Sequence, residues 1–366
     1  MSDIVNLDPL VAEKFKAAVD AGDAFFFDST VHITGNQDKS HPPIASVPWQ
    51  VRTVPALLKK PTANKEEPKD EKPKDEKPKQ NQKDVFAPPY VPNLLVKEFA
   101  DFTVLLNKYC VLPKHFLMVT KDFVNQELPP SPEMLASVYL VIERHRAEHP
   151  QAELLGFFNC GKDSGASQPH CHFQMVELVP EKSTMAVPIE NLLQHIERDG
   201  KEYSDVHLLP VPWQHFVVLL DPPSDETQLS TYLGHRFTQL LDCMFAAARD
   251  LNHIQGTEPR RGPPQFNILL TKRAMHLIPR RQEGFDLNTT DWAPYNNGQA
   301  PEHTGTLSVN ALGYAGLFLT RHKAELEAMT DPANARIAHV LAQTGVPIPI
   351  QEGTEAPAAD EKKADA

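Results

Sequence analysis

Two apolar stretches joined by a short loop of small residues constrain the fold of this chain most strongly. Residues 154–159 have the apolar and aromatic composition of a buried strand. Residues 170–179 also read as a strand, in which Phe173, Met175, Val176, Leu178 and Val179 supply apolar and β-branched positions. Successive side chains point to opposite faces of a strand, so His170, His172 and Gln174 are predicted to form a row on one face.

This row of two imidazoles and an amide suits phosphate chemistry. A neutral imidazole nitrogen can attack phosphorus, a second imidazole can orient the first, and the amide can hold a phosphate oxygen. The loop over 161–169 consists mainly of glycine, alanine, serine and other short side chains, so its backbone N–H groups can approach anionic oxygens closely. The pattern favours an enzyme that transfers a nucleotidyl group.

A metal-site fragment, or a pair of polar groups on a solvent-facing strand, is the alternative reading of two histidines spaced two apart. A zinc site would need further Cys or His ligands at short, ordered spacing. Cys171 lies between the histidines and is predicted to face the other side of the strand. We therefore expect no dedicated metal ligands among these residues.

Composition places the chain among intracellular globular proteins. Its 366 residues are 41% hydrophobic and 23% charged, which suits one large or two moderate domains. Four cysteines without a CxxC pair indicate reduced thiols. The net charge of −12 argues against broad binding to nucleic acid. No apolar stretch approaches membrane-spanning length, so a cytoplasmic location, or a nuclear one as well, is expected.

A proline-rich charged segment interrupts the chain. Pro-Lys-Asp-Glu-Lys at 68–72 is repeated at 73–77, and such a composition cannot support a packed core. We predict a disordered insertion over 59–85 and a disordered tail over 351–366. The ordered chain is then predicted to form an N-terminal region, 1–58 with 86–200, and a C-terminal region, 201–350.

The remaining pattern predicts an α+β fold. Strands are predicted at 47–54, 102–106, 115–120, 210–220, 265–271 and 274–279. A helix should begin after Ser131, which is a suitable N-cap before Pro132. A second, long helix should bury Phe237, Leu240, Leu241, Met244, Phe245 and Ala248. Together these elements predict an antiparallel sheet with helices packed on one face.

A cluster of arginines surrounds the last predicted hairpin. Arg260 and Arg261 precede it, and Arg280 and Arg281 follow it. A charged cluster of this kind is usually a solvated loop. Its position beside polar strand residues leaves a phosphate-facing role equally open.

Several separated segments resemble the diadenosine tetraphosphate (Ap4A) phosphorylases, or ATP adenylyltransferases, of fungal type. These enzymes form a branch of the histidine-triad (HIT) and galactose-1-phosphate uridylyltransferase superfamily. The resemblance spans 49–316 and is carried by the segments 55–61, 107–109, 161–174, 266–273 and 275–280. It implies a HIT-like antiparallel sheet with helices on one face, extended by a C-terminal segment.

The same resemblance implies roles for individual residues. His172 would be the nucleophile that becomes adenylyl-histidine, His170 would support the site, and Gln174 would hold oxygens of the transferred phosphate. Family members with glutamine at this third position tend to transfer nucleotides, and those with histidine tend to hydrolyse them. Substrate contacts would come from Lys60, Asn107, Asn159, Ser164, Gly165, Ser167, Asn267, Thr271, Lys272 and Met275.

The implied reaction is reversible phosphorolysis of Ap4A to ATP and ADP, with adenylyl exchange between ADP and phosphate or sulfate. The resemblance implies a divalent cation, Mg²⁺, that accompanies the polyphosphate. It also implies a monomer whose partners are nucleotides and inorganic phosphate rather than nucleic acid or membrane. Uridylyl transfer is less favoured because the uridylyltransferases often bind zinc through cysteine-containing spacings, and this chain has no CxxC pair. A dinucleotide hydrolase, another HIT-type nucleotidyltransferase and a nucleotide sensor without turnover are the rival hypotheses.

Overall fold

A computed structural model describes residues 7–35, 42–55, 84–180, 184–198, 203, 205–256, 262–287, 305–321, 323–330 and 336–348. Most of the predicted insertion and the whole predicted tail lie outside the described residues. Of the insertion, Asp84 and Val85 are described.

These ranges contain seven α-helices and sixteen strands, most of the strands in consecutive groups between helices. The helices are α1 (Leu7–Ala21), α2 (Pro132–Glu148), α3 (Leu193–Arg198), α4 (Leu229–Gln255), α5 (Ala311–Ala315), α6 (Lys323–Thr330) and α7 (Arg336–Thr344). The strands are β1 (Phe25–Phe26), β2 (Thr30–Thr34), β3 (Trp49–Thr53), β4 (Leu95–Glu98), β5 (Phe102–Leu106), β6 (Tyr109–Cys110), β7 (Phe116–Thr120), β8 (Glu153–Cys160), β9 (His172–Leu178), β10 (Val206–Leu208), β11 (Phe216–Leu219), β12 (Phe266–Leu270), β13 (Ala274–Pro279), β14 (Gly284–Asp286), β15 (Thr306–Ser308) and β16 (Leu317–Thr320).

Nine of these strands form one antiparallel sheet. Its order is β10-β11-β13-β12-β8-β9-β7-β5-β4, and every neighbouring pair in it is antiparallel. The predicted α+β fold is thereby confirmed. A smaller sheet of three strands, β16-β3-β2, lies outside it. Within the described ranges, none of the helices meets the length and hydropathy of a transmembrane span.

The two long helices, α2 and α4, pack on one face of the large sheet, as predicted. The helix α2 begins where expected, because the Ser131 hydroxyl accepts a hydrogen bond from the backbone N–H of Met134. The cluster beneath the helices includes Phe158, Phe173 and Leu240. On the opposite face, shorter helices and the strand β3 cover a second apolar cluster, which the prediction of helices on one face did not include.

Part of the predicted core of α4 faces outwards. Leu240 and Met244 are buried, whereas Phe245 is 43% exposed and Ala248 is also exposed. The apolar stripe of α4 is therefore narrower than the run of apolar residues suggested. The reason is that α4 contacts the sheet along one side and has no second layer outside it among the described residues.

Two predicted strands are shorter in the structure. The strand predicted over 210–220 begins only at Phe216, since Pro210 and Pro212 have no N–H for a ladder hydrogen bond. The site strand begins at His172 rather than at 170. His170 lies immediately before it and pairs with Asn125 through a single bridge.

The two predicted regions share the large sheet. The strand β12, from the predicted C-terminal region, pairs directly with β8 from the N-terminal one. The strand β3 likewise runs parallel to β16. The boundary near residue 200 stays a prediction, and strands from both sides of it belong to the same nine-stranded sheet.

The first residue of β8 provides a test of this packing. Burial, with the nearby Glu190 carboxylate, raises the pKa of Glu153 to about 7, against about 4.3 in an unfolded chain. Between these values the folded chain keeps a proton that the unfolded chain has released, so stability falls as the pH rises. We expect Glu153→Gln to raise the free energy of unfolding at pH 8 by about 2–3 kcal/mol.

Denaturant titrations at several pH values would measure this gain. It should disappear near pH 4, where the Glu153 carboxyl is mostly protonated in both the folded and the unfolded wild type. Glu127→Gln is the matched control because Glu127 is exposed. A gain of equal size at pH 4 and pH 8 would contradict the assignment.

Candidate active site

His172 lies at the start of β9, near the middle of the large sheet. It pairs with Val119 of β7. Gln126 fills the space beside it, since the His172 backbone N–H donates to Gln126 Oε1 at 2.7 Å. The Gln126 amide nitrogen in turn donates to the carbonyl oxygens of Asn159 and His172 at 2.9 and 3.3 Å. The backbone N–H and carbonyl groups of His172 are therefore both hydrogen-bonded to the Gln126 side chain.

The hydrogen bonds of the His172 ring decide which nitrogen can react. Nδ1–H donates to the carbonyl oxygen of His170 at 2.7 Å, so the neutral ring carries its lone pair on Nε2. The ring is 4% exposed and packs edge-on against Phe86 at 5.0 Å. Burial lowers the pKa of His172 to about 4. Near neutral pH the ring is thus uncharged, and its Nε2 lone pair is chemically able to act as a nucleophile.

His170 has a different environment. Its Nδ1 lies 2.8 Å from an Asp84 carboxylate oxygen, and its Nε2 lies 2.9 Å from the carbonyl oxygen of Thr120 and 3.2 Å from that of Asp122. Because both ring nitrogens face oxygen acceptors, neither is left to attack phosphorus. The side chain therefore anchors the carbonyl group that orients His172.

Gln174 is oriented by a chain of two further side chains. The Asn107 amide nitrogen lies 2.9 Å from His115 Nδ1, and His115 Nε2 lies 3.1 Å from Gln174 Oε1. Burial lowers the pKa of His115 to about 4, so a neutral ring accepts from Asn107 and donates to Gln174. The Gln174 amide oxygen is thereby occupied, and its NH₂ group can donate to a phosphate oxygen.

The loop between β8 and β9 requires glycine at two positions. Gly161 and Gly165 have φ angles of 83° and 89°, which side chains with a Cβ rarely adopt. A Cβ on Gly161 would collide with the Gln265 carboxamide, and one on Gly165 would lie 2.8 Å from the Cβ of Asn310. The loop is therefore tightly seated at the end of β8, in the part of the chain that leads to His172.

Three predicted substrate contacts lie together beneath this loop. Asn267 Nδ2 donates to Asn159 Oδ1 at 2.8 Å and to the Ser164 carbonyl oxygen at 2.9 Å. Asn159 Oδ1 also accepts from the Ala311 backbone N–H at 3.1 Å. The Ser164 hydroxyl donates to the Gly161 carbonyl oxygen at 2.6 Å. All three side chains are buried and bonded to protein, so they shape the loop from below.

Arg280 is buried in the same network and is not part of a solvated loop. Its guanidinium is 3% exposed and lies over the Tyr314 ring at 4.8 Å. It donates to Asn267 Oδ1 at 2.6 Å and to the carbonyl oxygens of Ser164, Gln282, Val309 and Thr344. Of the predicted basic cluster, Arg260 and Arg261 lie outside the described residues.

Removing this guanidinium should destabilise the fold. Arg280→Met leaves Asn267 Oδ1 and several buried carbonyl oxygens without a donor, so we expect a loss of about 3 kcal/mol or more in the free energy of unfolding. Chemical denaturation measures it. Arg281→Met is the matched control because Arg281 is exposed. Equal effects of the two substitutions would contradict the assigned role of Arg280.

Three other predicted contacts are not brought near His172. The Thr271 hydroxyl donates to a Glu190 carboxylate oxygen at 2.6 Å, and Lys272 is exposed at the hairpin tip. The backbone N–H of Lys272 donates to Glu153, which pairs with Leu178 at the far end of β9. The side chain of Met275 is buried in the cluster beneath α2 and α4.

The remaining predicted contacts have mixed placements. Asn107 lies in the chain that orients Gln174, as described above. Gly165 and Ser167 belong to the loop before His170, and Ser167 is exposed there. Lys60 lies outside the described residues.

Sequence reasoning missed four residues of the site. His115, Asp84 and Phe86 contact the three predicted side chains, and Gln126 contacts the His172 backbone, only through tertiary structure. The β9–β7 pairing places Gln174 opposite Leu117, which brings His115 close. His115 is the first residue of the strand predicted at 115–120, and nothing in the sequence indicated that its ring would reach Gln174.

Comparison with known proteins gives a consistent result. A family model described as the Ap4A phosphorylase N-terminal domain matches residues 31–195, and one described as the ATP adenylyltransferase C-terminal domain matches residues 209–347. Together they span most of the chain. The resemblance inferred from the sequence is thereby confirmed.

Two proteins of Saccharomyces cerevisiae are similar over nearly their whole length. Diadenosine 5',5'''-P1,P4-tetraphosphate phosphorylase 2 is 26% identical over 360 residues, covering 93% of this chain and 95% of the relative. Protein APA1 is 25% identical over 364 residues, covering 95% and 96%.

The crystal structure of yeast Ap4A phosphorylase Apa2 in complex with Ap4A shares the fold. It superposes with a TM-score of 0.65 at 24% identity, covering 93% of this chain and 98% of that one. The two domain models, matched in order along the chain, and the arrangement around His172 lead to one conclusion: the chain belongs to the family of Ap4A phosphorylases and ATP adenylyltransferases.

Proposed function

We propose that this chain catalyses phosphorolysis of Ap4A to ATP and ADP through a covalent adenylyl group on His172. The observation that carries the proposal is the neutral His172 ring, whose Nδ1–H is bonded to the His170 carbonyl oxygen at 2.7 Å. This bond directs the lone pair to Nε2. Membership of the family and the activity named for the yeast phosphorylase support the choice of substrate.

In the first step His172 Nε2 forms a bond to the phosphorus next to one adenosine. The bond from that phosphorus to the bridging oxygen breaks, and ATP leaves with the electron pair. The ring becomes cationic, so its Nδ1–H bond to the carbonyl oxygen strengthens as the reaction proceeds. In the second step an oxygen of inorganic phosphate attacks the same phosphorus, the P–N bond breaks, and ADP leaves.

Charge on the transferred phosphoryl oxygens needs donors. The NH₂ group of Gln174 is one, because the His115 contact at 3.1 Å occupies the amide oxygen. Backbone N–H groups around Gly165 and Ser167 are proposed as further donors, with Lys60 on the polyphosphate. Asn107 acts through His115, and Asn159, Ser164 and Asn267 act by holding the loop. Thr271, Lys272 and Met275 receive no role at His172.

Mg²⁺ is proposed to accompany the polyphosphate, bound mainly by phosphate oxygens and water, where it would neutralise part of the charge. The two-step course also makes the reverse reaction and adenylyl exchange between ADP and phosphate or sulfate accessible. We further propose a monomer that resides in the cytoplasm and the nucleus.

Product analysis tests the proposal. With Ap4A and phosphate, the purified protein should yield ATP and ADP in equal amounts, and ³²P from labelled phosphate should appear at the β-position of ADP. Formation of ATP and AMP without any need for phosphate would instead identify a dinucleotide hydrolase. Binding of Ap4A with no product under either condition would identify a sensor.

The rate of His172 adenylylation should depend little on pH near neutrality. Burial holds the pKa of His172 at about 4, so the ring is already deprotonated between about pH 6 and 8 and no ionisation of it limits attack there. Rapid-quench measurement of ATP release in a single turnover checks this. A tenfold rise across that range would contradict a nucleophile with so low a pKa.

A further inference from the structure

A second group of histidines and carboxylates lies on the opposite face of the sheet from His172. His145 lies in the last turn of α2 and His149 is its C-cap, four residues later, so both lie on one side of the helix end. Asp8 comes from the first turn of α1, and Glu177 comes from β9. Four ligand-type side chains thus converge from three separate elements.

The atoms of this group approach one another closely. His145 Nε2 lies 2.8 Å from Glu177 Oε2 and 4.0 Å from Asp8 Oδ1, and His149 Nε2 lies 3.0 Å from Asp8 Oδ2. Ligand atoms of Asp8, His145 and His149 all lie within 4.8 Å of one another. A tetrahedral zinc site with bonds of about 2.0–2.1 Å separates its ligands by about 3.3–3.4 Å. The nitrogen–oxygen distances of 2.8, 3.0 and 4.0 Å in this group fall on both sides of that value.

The charges around this group favour a bound divalent cation, because two carboxylates face a single positive charge within the ranges described. His145 is 4% exposed, and its Nδ1 makes no hydrogen bond, so this side chain interacts through Nε2. In the described part of the chain, the ammonium group that meets the two carboxylates is that of Lys114, at 2.9 Å from Glu177 and 3.8 Å from Asp8. A cavity of about 20 Å³ borders Asp8 and His145, which is room for one water.

We propose that Asp8, His145, His149 and Glu177 form a structural zinc site that ties α1 and the end of α2 to β9. Two imidazoles and two carboxylates are a ligand set that zinc accepts. Lys114 would then bond the carboxylate oxygens that do not bind the metal. The site is separate from the adenylyl chemistry, and its proposal does not depend on the proposed function.

The test uses the full-length protein freed of metal with a chelator. Zinc binding is measured by competition with a chromogenic chelator and by the zinc-induced shift of the unfolding temperature. The wild type should bind one equivalent that His149→Gln loses, with affinity at that site weakened by about tenfold or more and the temperature shift abolished. His253→Gln, at an exposed helical histidine of α4, should behave as the wild type.

Lys114→Met separates a metal site from a network of ion pairs. If zinc and the ammonium compete for the same carboxylates, this variant should bind zinc several-fold more tightly than the wild type. If the group is only an ion-pair network, Lys114→Met should lose stability and gain no affinity for zinc. That result, or equal zinc binding by the wild type and His149→Gln, would overturn the proposal.

Discussion

Replacing His172 by alanine should reduce turnover of Ap4A by at least about 10⁴-fold, because the nucleophile of a two-step transfer has no substitute. The buried ring makes one polar side-chain contact, to the His170 carbonyl oxygen. The variant should therefore fold and still bind the dinucleotide. Intact-protein mass spectrometry after mixing with Ap4A in phosphate-free buffer should find an adenylyl adduct on the wild type and none on the variant.

Phosphate should remove the wild-type adduct and release ADP. His253→Ala is a suitable control for a histidine substitution elsewhere, since that residue is exposed on α4. An adduct of the same mass on His172→Ala would place the nucleophile at another residue. Failure of the wild type to form any adduct, together with intact Ap4A in the presence of phosphate, would refute covalent transfer.

The second large effect is expected at Gln174 and at the histidine that orients it. Gln174→Ala removes a donor to the phosphoryl oxygens and should lower kcat by about 10²–10³-fold. His115→Phe keeps an aromatic ring but loses the 3.1 Å hydrogen bond to Gln174 Oε1, so the amide is no longer fixed. We expect kcat to fall by about 10–100-fold with a smaller change in KM.

A double-mutant cycle distinguishes positioning from a general loss of stability. If His115 acts through Gln174, the double variant should be no slower than Gln174→Ala alone. Strictly multiplicative losses would instead indicate independent effects. Asn107→Ala should follow His115→Phe with a smaller loss, because Asn107 reaches Gln174 only through the imidazole.

Local signals in the sequence were sufficient for much of the fold. The Ser131 cap follows from capping chemistry, and the strands β5, β7, β8, β12 and β13 follow from short runs of apolar, aromatic and β-branched residues. These local signals gave wrong predictions where tertiary packing determines which residues are buried or paired. Phe245 is exposed because α4 meets the sheet along one side only. His170 lies outside β9 because the partner strand β7 ends at Thr120 and the backbone around His170 bonds to residues 124–126 instead.

By itself the sequence determined the family, the α+β class and the identity of the three central side chains, because these depend on residue types at short, fixed spacing. Only the tertiary structure decided how each of them works. Strand register sets His115 beside Gln174, and a carbonyl contact selects the reactive nitrogen of His172. Asn159, Ser164 and Asn267 bind one another and Arg280 beneath the loop. Such contacts join residues far apart in the chain, and a spacing pattern contains no information on which distant partner satisfies a buried polar group.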